Sequence, residues 1–153
     1  MKDFKFGCEY QANLFEYSVV KGDCSSSFFI KQFANSDLAS RMDNEAYILS
    51  GDDTVKAYEE LSLEKKLSRG KELYPKRVMA WVGYIMRYMS IKYNFSTKYI
   101  YSFIKPRELY GLYEAYHSLD NDMVCERIVE AKKINTNLNN ADIYREILRK
   151  KKQ

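Results

Sequence analysis

Apolar positions along the chain follow two periods. In residues 1–22, Phe4, Phe6, Cys8 and Tyr10, then Phe15, Tyr17 and Val19, recur at every second position. Aromatic and β-branched residues at that period predict one or two short strands within 3–20. Lys21-Gly22-Asp23 reads as a turn. Beyond it the period lengthens. Ser25, Ser26 and Ser27 offer N-cap oxygens to a helix that carries Phe29, Ile30, Phe33, Ala34 and Leu38 on one face. A loop around Gly51 ends at Asp53, which is placed to cap a helix with Val55, Tyr58 and Leu61 inward, and polar Lys65–Gly70 closes that element.

The strongest periodicity lies at 76–93. Pro75 stands where a first helical turn needs no amide donor, and Val78, Trp81, Val82, Ile85, Met86 and Met89 then form a full apolar stripe. Gly83 interrupts it at a cost of about 1 kcal/mol relative to alanine and marks close approach of a neighbour. After a break at Asn94-Phe95, Ser96 caps a helix that buries Tyr99, Ile100, Phe103 and Ile104. Pro106 opens another, with Leu109, Leu112, Tyr113 and Tyr116 on one face, and Asp120 caps a last one, with Val124, Ile128 and Ala131 inward. The expected fold is mainly α: a single-domain helical bundle, residues 1–133, around a central helix at 76–93, with a short β element at the N-terminus. Asn-rich 134–142 reads as a linker and 143–153 as a basic terminal helix or tail.

Composition supports this reading. In 153 residues there are 6 Gly and 2 Pro, few breakers for long helices, and 46% hydrophobic with 30% charged residues suits a globular chain. No apolar run reaches the length of a membrane span, and MKDFKFGCEYQ lacks the apolar stretch of a secretory signal. Cys8, Cys24 and Cys125 are odd in number and contain no CxxC, which suits a reducing compartment. The expected location is the cytoplasm.

Charge changes the picture more. The net +4 divides unevenly: residues 1–64 hold 6 Lys+Arg against 12 Asp+Glu, residues 65–107 hold 11 against one (Glu72), and the remainder holds 8 of each. Gathered on one face, the middle segment would attract a polyanion or an acidic protein. Folded against the opening third, it would be neutralised within the chain.

No catalytic constellation accompanies this charge. His117 is the single histidine, without a second imidazole or a CxxC to complete a metal site. There is no GxSxG elbow, no phosphate-cradling glycine loop, and the adjacent carboxylates Asp52-Asp53 and Glu59-Glu60 diverge on a helix. No catalytic residue, metal or cofactor is therefore expected; an unfamiliar enzyme using Arg107, Glu114 and His117 is the remaining catalytic alternative. The 14 Tyr and 8 Phe are more informative, because Arg and Tyr are enriched where binding energy concentrates. Arg77, Tyr84, Arg87 and Tyr88, on the side of the central helix away from its apolar stripe, with Lys92, Lys98 and Arg107, form the expected partner-binding set. The tyrosines could equally close a second hydrophobic layer. The pair 76–93 and 96–104 also has the outline of a helix-turn-helix, with Ser96-Thr97-Lys98 leading the second helix.

Three blocks, FFIKQFANSDLASRMD (28–43), YPKRVMAWVGYIMRYMSI (74–91) and STKYIYSFIKPRELYGLYEAYHSLD (96–120), together resemble a group of small bacterial proteins associated with toxin–antitoxin-like loci. Some of that group sit beside toxins with an ADP-ribosyltransferase-like fold. The likeness spans about residues 25–133. It implies an antitoxin-like or accessory protein whose partner is a cognate toxin or another protein, and it carries no catalytic residues over. A nucleic acid bound by 65–107 is the alternative partner; no membrane is expected.

Overall fold

The structure, a computed structural model, describes residues 4–44, 53–137 and 149. Eight helices occur among these residues: α1 Phe4–Lys21, α2 Ser26–Ala34, α3 Asp37–Asp43, α4 Thr54–Lys65, α5 Lys76–Tyr93, α6 Thr97–Phe103, α7 Pro106–Tyr116 and α8 Asn121–Ala131. The expected helix through 28–42 is two helices. Ser36 stops α2 and caps α3, its hydroxyl accepting from the Ala39 amide. The Gly51 loop and most of the linker and tail, 138–148 and 150–153, lie outside the described residues. Ile134 still packs on the bundle, its amide bonded to the Val129 carbonyl.

The N-terminal β element is corrected: Phe4–Lys21 is an 18-residue helix. Its buried positions are Gly7, Cys8, Gln11, Leu14, Phe15 and Ser18, spaced by three and four as a helix requires. Three of the six are glycine, glutamine and serine, so the stripe does not register as apolar. Phe6 and Val20, which supplied the strand-like alternation or extended it, are 50% and 57% exposed.

What places α1 is the central helix. The α1–α5 pair makes the most extensive contact in the bundle, and it closes at Gly83. A Cβ there would sit 2.8 Å from both the Gln11 carbonyl oxygen and Phe15 Cγ, so the two backbones meet with no room for a side chain. Gln11 spans the contact, donating from Nε2 to the Gly83 carbonyl at 3.0 Å. Phe15 then stands edge-on to Phe29 and Phe33 of α2, at 5.2 and 5.0 Å between centroids. One turn beyond Gly83 is Arg87, 1% exposed. Its Nε donates to Gln11 Oε1 (2.8 Å), one terminal nitrogen to Asp43 (2.8 Å) and Ser90 (3.2 Å), and the other to the Thr97 hydroxyl (2.9 Å). Thr97 in turn donates its hydroxyl to Asp43 at 2.6 Å, and Gln11 uses its amide on Gly83. The guanidinium thereby joins α1, α3, α5 and α6 in a satisfied polar centre.

Elsewhere the apolar faces sit close to expectation. Tyr99, Ile100, Phe103 and Ile104 are buried, as are Leu109, Tyr113, Val124 and Ile128, while Val55 is 43% exposed and Ala131 faces outward.

Two substitutions test this crossing. Gly83→Ala should gain about 1 kcal/mol of helix propensity yet lose about 1–3 kcal/mol net, because the opposing Gln11 atom is backbone and cannot rotate away. Arg87→Ala should cost about 3 kcal/mol by stranding Asp43 and Gln11, and Arg87→Lys should recover little, since one ammonium cannot reach four acceptors. Chemical denaturation monitored by circular dichroism reads both; a neutral Gly83→Ala would mean the helices can part without cost.

Candidate anion-binding surface

The surface begins with a segment that forms no helix. Between α4 and α5, residues 66–75 run across the N-terminal end of α2 and are fastened there. The Ser25 amide donates to the Arg69 carbonyl and the Ser26 amide to the Glu72 carbonyl, both at 2.9 Å. The Tyr74 amide donates to Ser26 Oγ at 2.9 Å. Leu67 and Tyr74 bury their side chains and pin both ends. Gly70 has a φ of +79°, and a Cβ there would lie 2.6 Å from Ser25 Oγ, so its lack of a side chain lets the loop press onto the helix cap. Ser25 Oγ accepts from the Phe28 amide, closing α2 in the ordinary way.

With Leu67 and Tyr74 turned inward, the cations turn out. Lys66, Arg69 and Lys71, with Lys76 and Arg77 in the first turn of α5, are all exposed. None of the five forms an ion pair among the described residues. Glu72, the single acid of this stretch, faces Arg107 across 3.5 Å, and Arg107 itself is 84% exposed at its side chain. Leu73 and Tyr110 are partly exposed nearby, Tyr110 standing edge-on to Tyr74 at 4.4 Å.

Among the described residues, no carboxylate of the opening third pairs with these five cations. Asp37 and Glu60 pair with Arg41, Glu64 holds the Asp37 amide and lies 3.8 Å from Lys65, and Asp43 reaches 44 positions on to hold the buried Arg87.

The seven residues expected to bind a partner are not brought together. Arg77 and Arg107 are exposed. Arg87 is corrected from an outward contact to a core residue, because it points into the junction of α1, α3 and α6, where Ile85, Met86, Met89, Ser90 and Ile91 of its own helix are buried too. Tyr88 and Lys92 fasten α5 to α8, donating to Asp122 at 2.9 and 3.0 Å, with Glu126 at 3.9 Å from Lys92. Tyr84 stacks on Tyr88 and is half-buried against α1, where desolvation, followed by the neighbouring Cys8 and Glu9, raises its hydroxyl above the usual range. Lys98 is half-buried beside a polar recess that contains Asp37, Asp43 and Ser96. Most of these tyrosines and cations therefore form the second layer that was the competing reading. The helix-turn-helix outline loses its reading face as well. Thr97, Tyr99, Ile100 and Phe103 point inward, and Thr97 is held by Asp43.

The remaining reactive groups are quiet. His117 ends α7 with Nδ1 2.7 Å from the Tyr113 carbonyl and its ring stacked on Tyr113 at 4.4 Å. Burial, with Asp23 adding to it, pushes the Cys24 thiol up to about 11; burial likewise pushes Cys125 up to about 12, against the pull of Lys92. Neither is a nucleophile near neutrality. Among the described residues no cluster of His, Cys, Asp or Glu is arranged to hold a metal, and no helix is long and apolar enough to cross a membrane. The chain matches no family model, no curated protein and no solved structure.

Two carboxyls report the packing of α8. Hydrogen bonds from Lys92 and then Tyr88 hold Asp122 below its ordinary 3.8, and Lys132 holds Glu108 below 4.5. A depressed carboxyl stabilises the fold above its unfolded value, and that contribution disappears as pH falls through the folded value. The melting temperature should therefore decline between about pH 5 and pH 2. Asp122→Asn should flatten the decline, while an unchanged pH profile would show that the α5–α8 fastening contributes nothing.

Proposed function

We propose that this chain is a non-enzymatic binding protein, an antitoxin-like or accessory component of a bacterial toxin–antitoxin or defence locus. It would act through protein–protein contacts centred on Lys66–Arg77 and Arg107. The observation that carries this reading is a group of five cations without ion-pair partners among the described residues, three on a loop that is already fastened in place and two in the first turn of α5. A preformed loop loses little conformational freedom on association. Arg107, Leu73 and Tyr110 beside it supply the arginine, aromatic and apolar side chains on which protein interfaces concentrate affinity. The complementary partner surface is acidic, and the resemblance of residues 25–133 supplies its type, a cognate toxin.

A second reading is favoured by the same unmatched charge. A nucleic acid would meet Lys66, Arg69, Lys71, Lys76 and Arg77 as successive phosphate contacts, a narrower footprint than the whole of 65–107. Counterion release then makes affinity fall steeply with salt.

Co-expression with the product of the neighbouring gene tests the first reading. The two proteins should co-purify, and the charge-reversed variant Lys66→Glu/Lys71→Glu/Lys76→Glu/Arg77→Glu should lose the partner while keeping its circular dichroism. Retention of a single-stranded oligonucleotide at about 50 mM salt, lost in the same variant, would move the conclusion to nucleic acid. If the reversed variant binds either partner as well as the parent, or the parent binds neither, the proposal is wrong.

A further inference from the structure

Where the loop meets α2 it leaves a recess of about 290 Å³, walled by Ser25, Ser27, Phe28, Lys31, Arg69 and Tyr101. Its cations come from two elements and converge without acids. Arg69 comes from the loop, and Lys31 lies one turn beyond Ser27 on the same face of α2. Neither has an ion pair among the described residues. Lys105 stands at the rim, its ammonium 4.1 Å from the centre of the Tyr101 ring and bonded to the Tyr101 carbonyl at 2.9 Å.

The polar groups around the recess are incompletely used. The Ser26 and Phe28 amides are occupied by Glu72 and Ser25, but the Ser27 amide has no partner among the described residues and stands at the exposed start of the helix. Behind Ser27, outside the recess lining, lies the hydroxyl of Tyr74, a residue 97% buried. Burial and then Glu72 raise that hydroxyl, while Arg107 and Ser27 oppose the rise. Two unmatched cations, a free helix-start amide and hydroxyls among aromatic surfaces suit a small oxyanion that carries an organic group.

We infer that this recess binds a phosphate monoester, with Arg69 and Lys31 on the phosphate and Phe28 and Tyr101 beside the group it is attached to. The inference rests on the reading of this face as anion-binding and gives it one defined subsite. The attached group follows from the walls, which away from the cations are aromatic, Phe28 and Tyr101.

Titration of the full chain with AMP, adenosine and inorganic phosphate at about 50 mM salt tests it by calorimetry. AMP should bind and adenosine should bind at least about tenfold more weakly, as expected when a charge-assisted contact is absent. Inorganic phosphate binding as tightly as AMP would identify free phosphate as the source and support the same site. Arg69→Ala and Lys31→Ala should each weaken AMP by about tenfold, whereas Lys66→Ala and Arg77→Ala should leave it nearly unchanged. Truncating Arg69 spares the main-chain carbonyl that holds Ser25. Ser27→Asp offers a second variant that keeps the fold, since a carboxylate at a helix start is favourable there, and it should abolish AMP binding by repulsion. Absence of binding by AMP and phosphate, or equal weakening in all four alanine variants, overturns the inference. Loss of the macromolecular partner in the charge-reversed variant alongside such a result would leave the broader reading standing; AMP binding without any macromolecular partner would do the reverse.

Discussion

The bundle depends on one backbone-to-backbone contact, the crossing of α1 over α5 at Gly83. Hydrophobic burial draws the two helices together without choosing an angle or a register. The missing Cβ chooses both, because the Gln11 carbonyl occupies the place where a side chain would stand. Once α1 lies there, Gln11 reaches Gly83 on one side and Arg87 on the other, and the buried guanidinium can extend to Asp43 and Thr97. A charge this deeply buried would be costly if any of its partners were absent. The polar centre therefore specifies one arrangement of four helices, where apolar packing alone would tolerate several.

That arrangement also determines which cations reach the surface. With α3, α5 and α6 held around Arg87, the second half of α5 keeps only half-buried Tyr84, Tyr88, Lys92 and Tyr93 toward solvent, and Tyr88 and Lys92 are taken up by Asp122 of α8. Cationic surface then accumulates where the chain leaves the helices, at 66–77. The loop is ordered by its own inward features: two buried side chains, a left-handed glycine and three hydrogen bonds to the start of α2. Its cations share one property, that inward contacts are made by their backbone or by their neighbours.

Helix existence was legible from 26 onward because caps and apolar spacing agree. Ser25, Asp53, Ser96 and Asp120 each cap the helix that follows. The first helix was illegible for a physical reason: its contact stripe needs small and polar residues, Gly7, Gln11 and Ser18, to admit another backbone closely. Arg87 misled in the same direction, since charged residues are seldom buried and nothing local announces that Asp43 and Gln11, 44 and 76 positions away, will meet it. The excess of positive charge in the middle third was plain, but its division between core, inter-helix fastening and open loop is a property of the tertiary arrangement. Lys31 and the serines beside it lay outside the cationic stretch and carried no signal beyond a helix cap.

The span between Gln11 and Gly83 also has a consequence in time. These partners are 72 positions apart, and a chain made at about 5–20 residues per second needs about 4–14 s to add that length. During synthesis the first helix leaves the ribosome with Gln11 unpartnered, and it stays so until Gly83 of α5 has been made. Its apolar members need not wait as long, because Phe15 meets Phe29 and Phe33 of α2, which are made first. The aromatic contact with α2 can thus form early, while the polar Gln11 end of the stripe is completed only when Gly83 has been made.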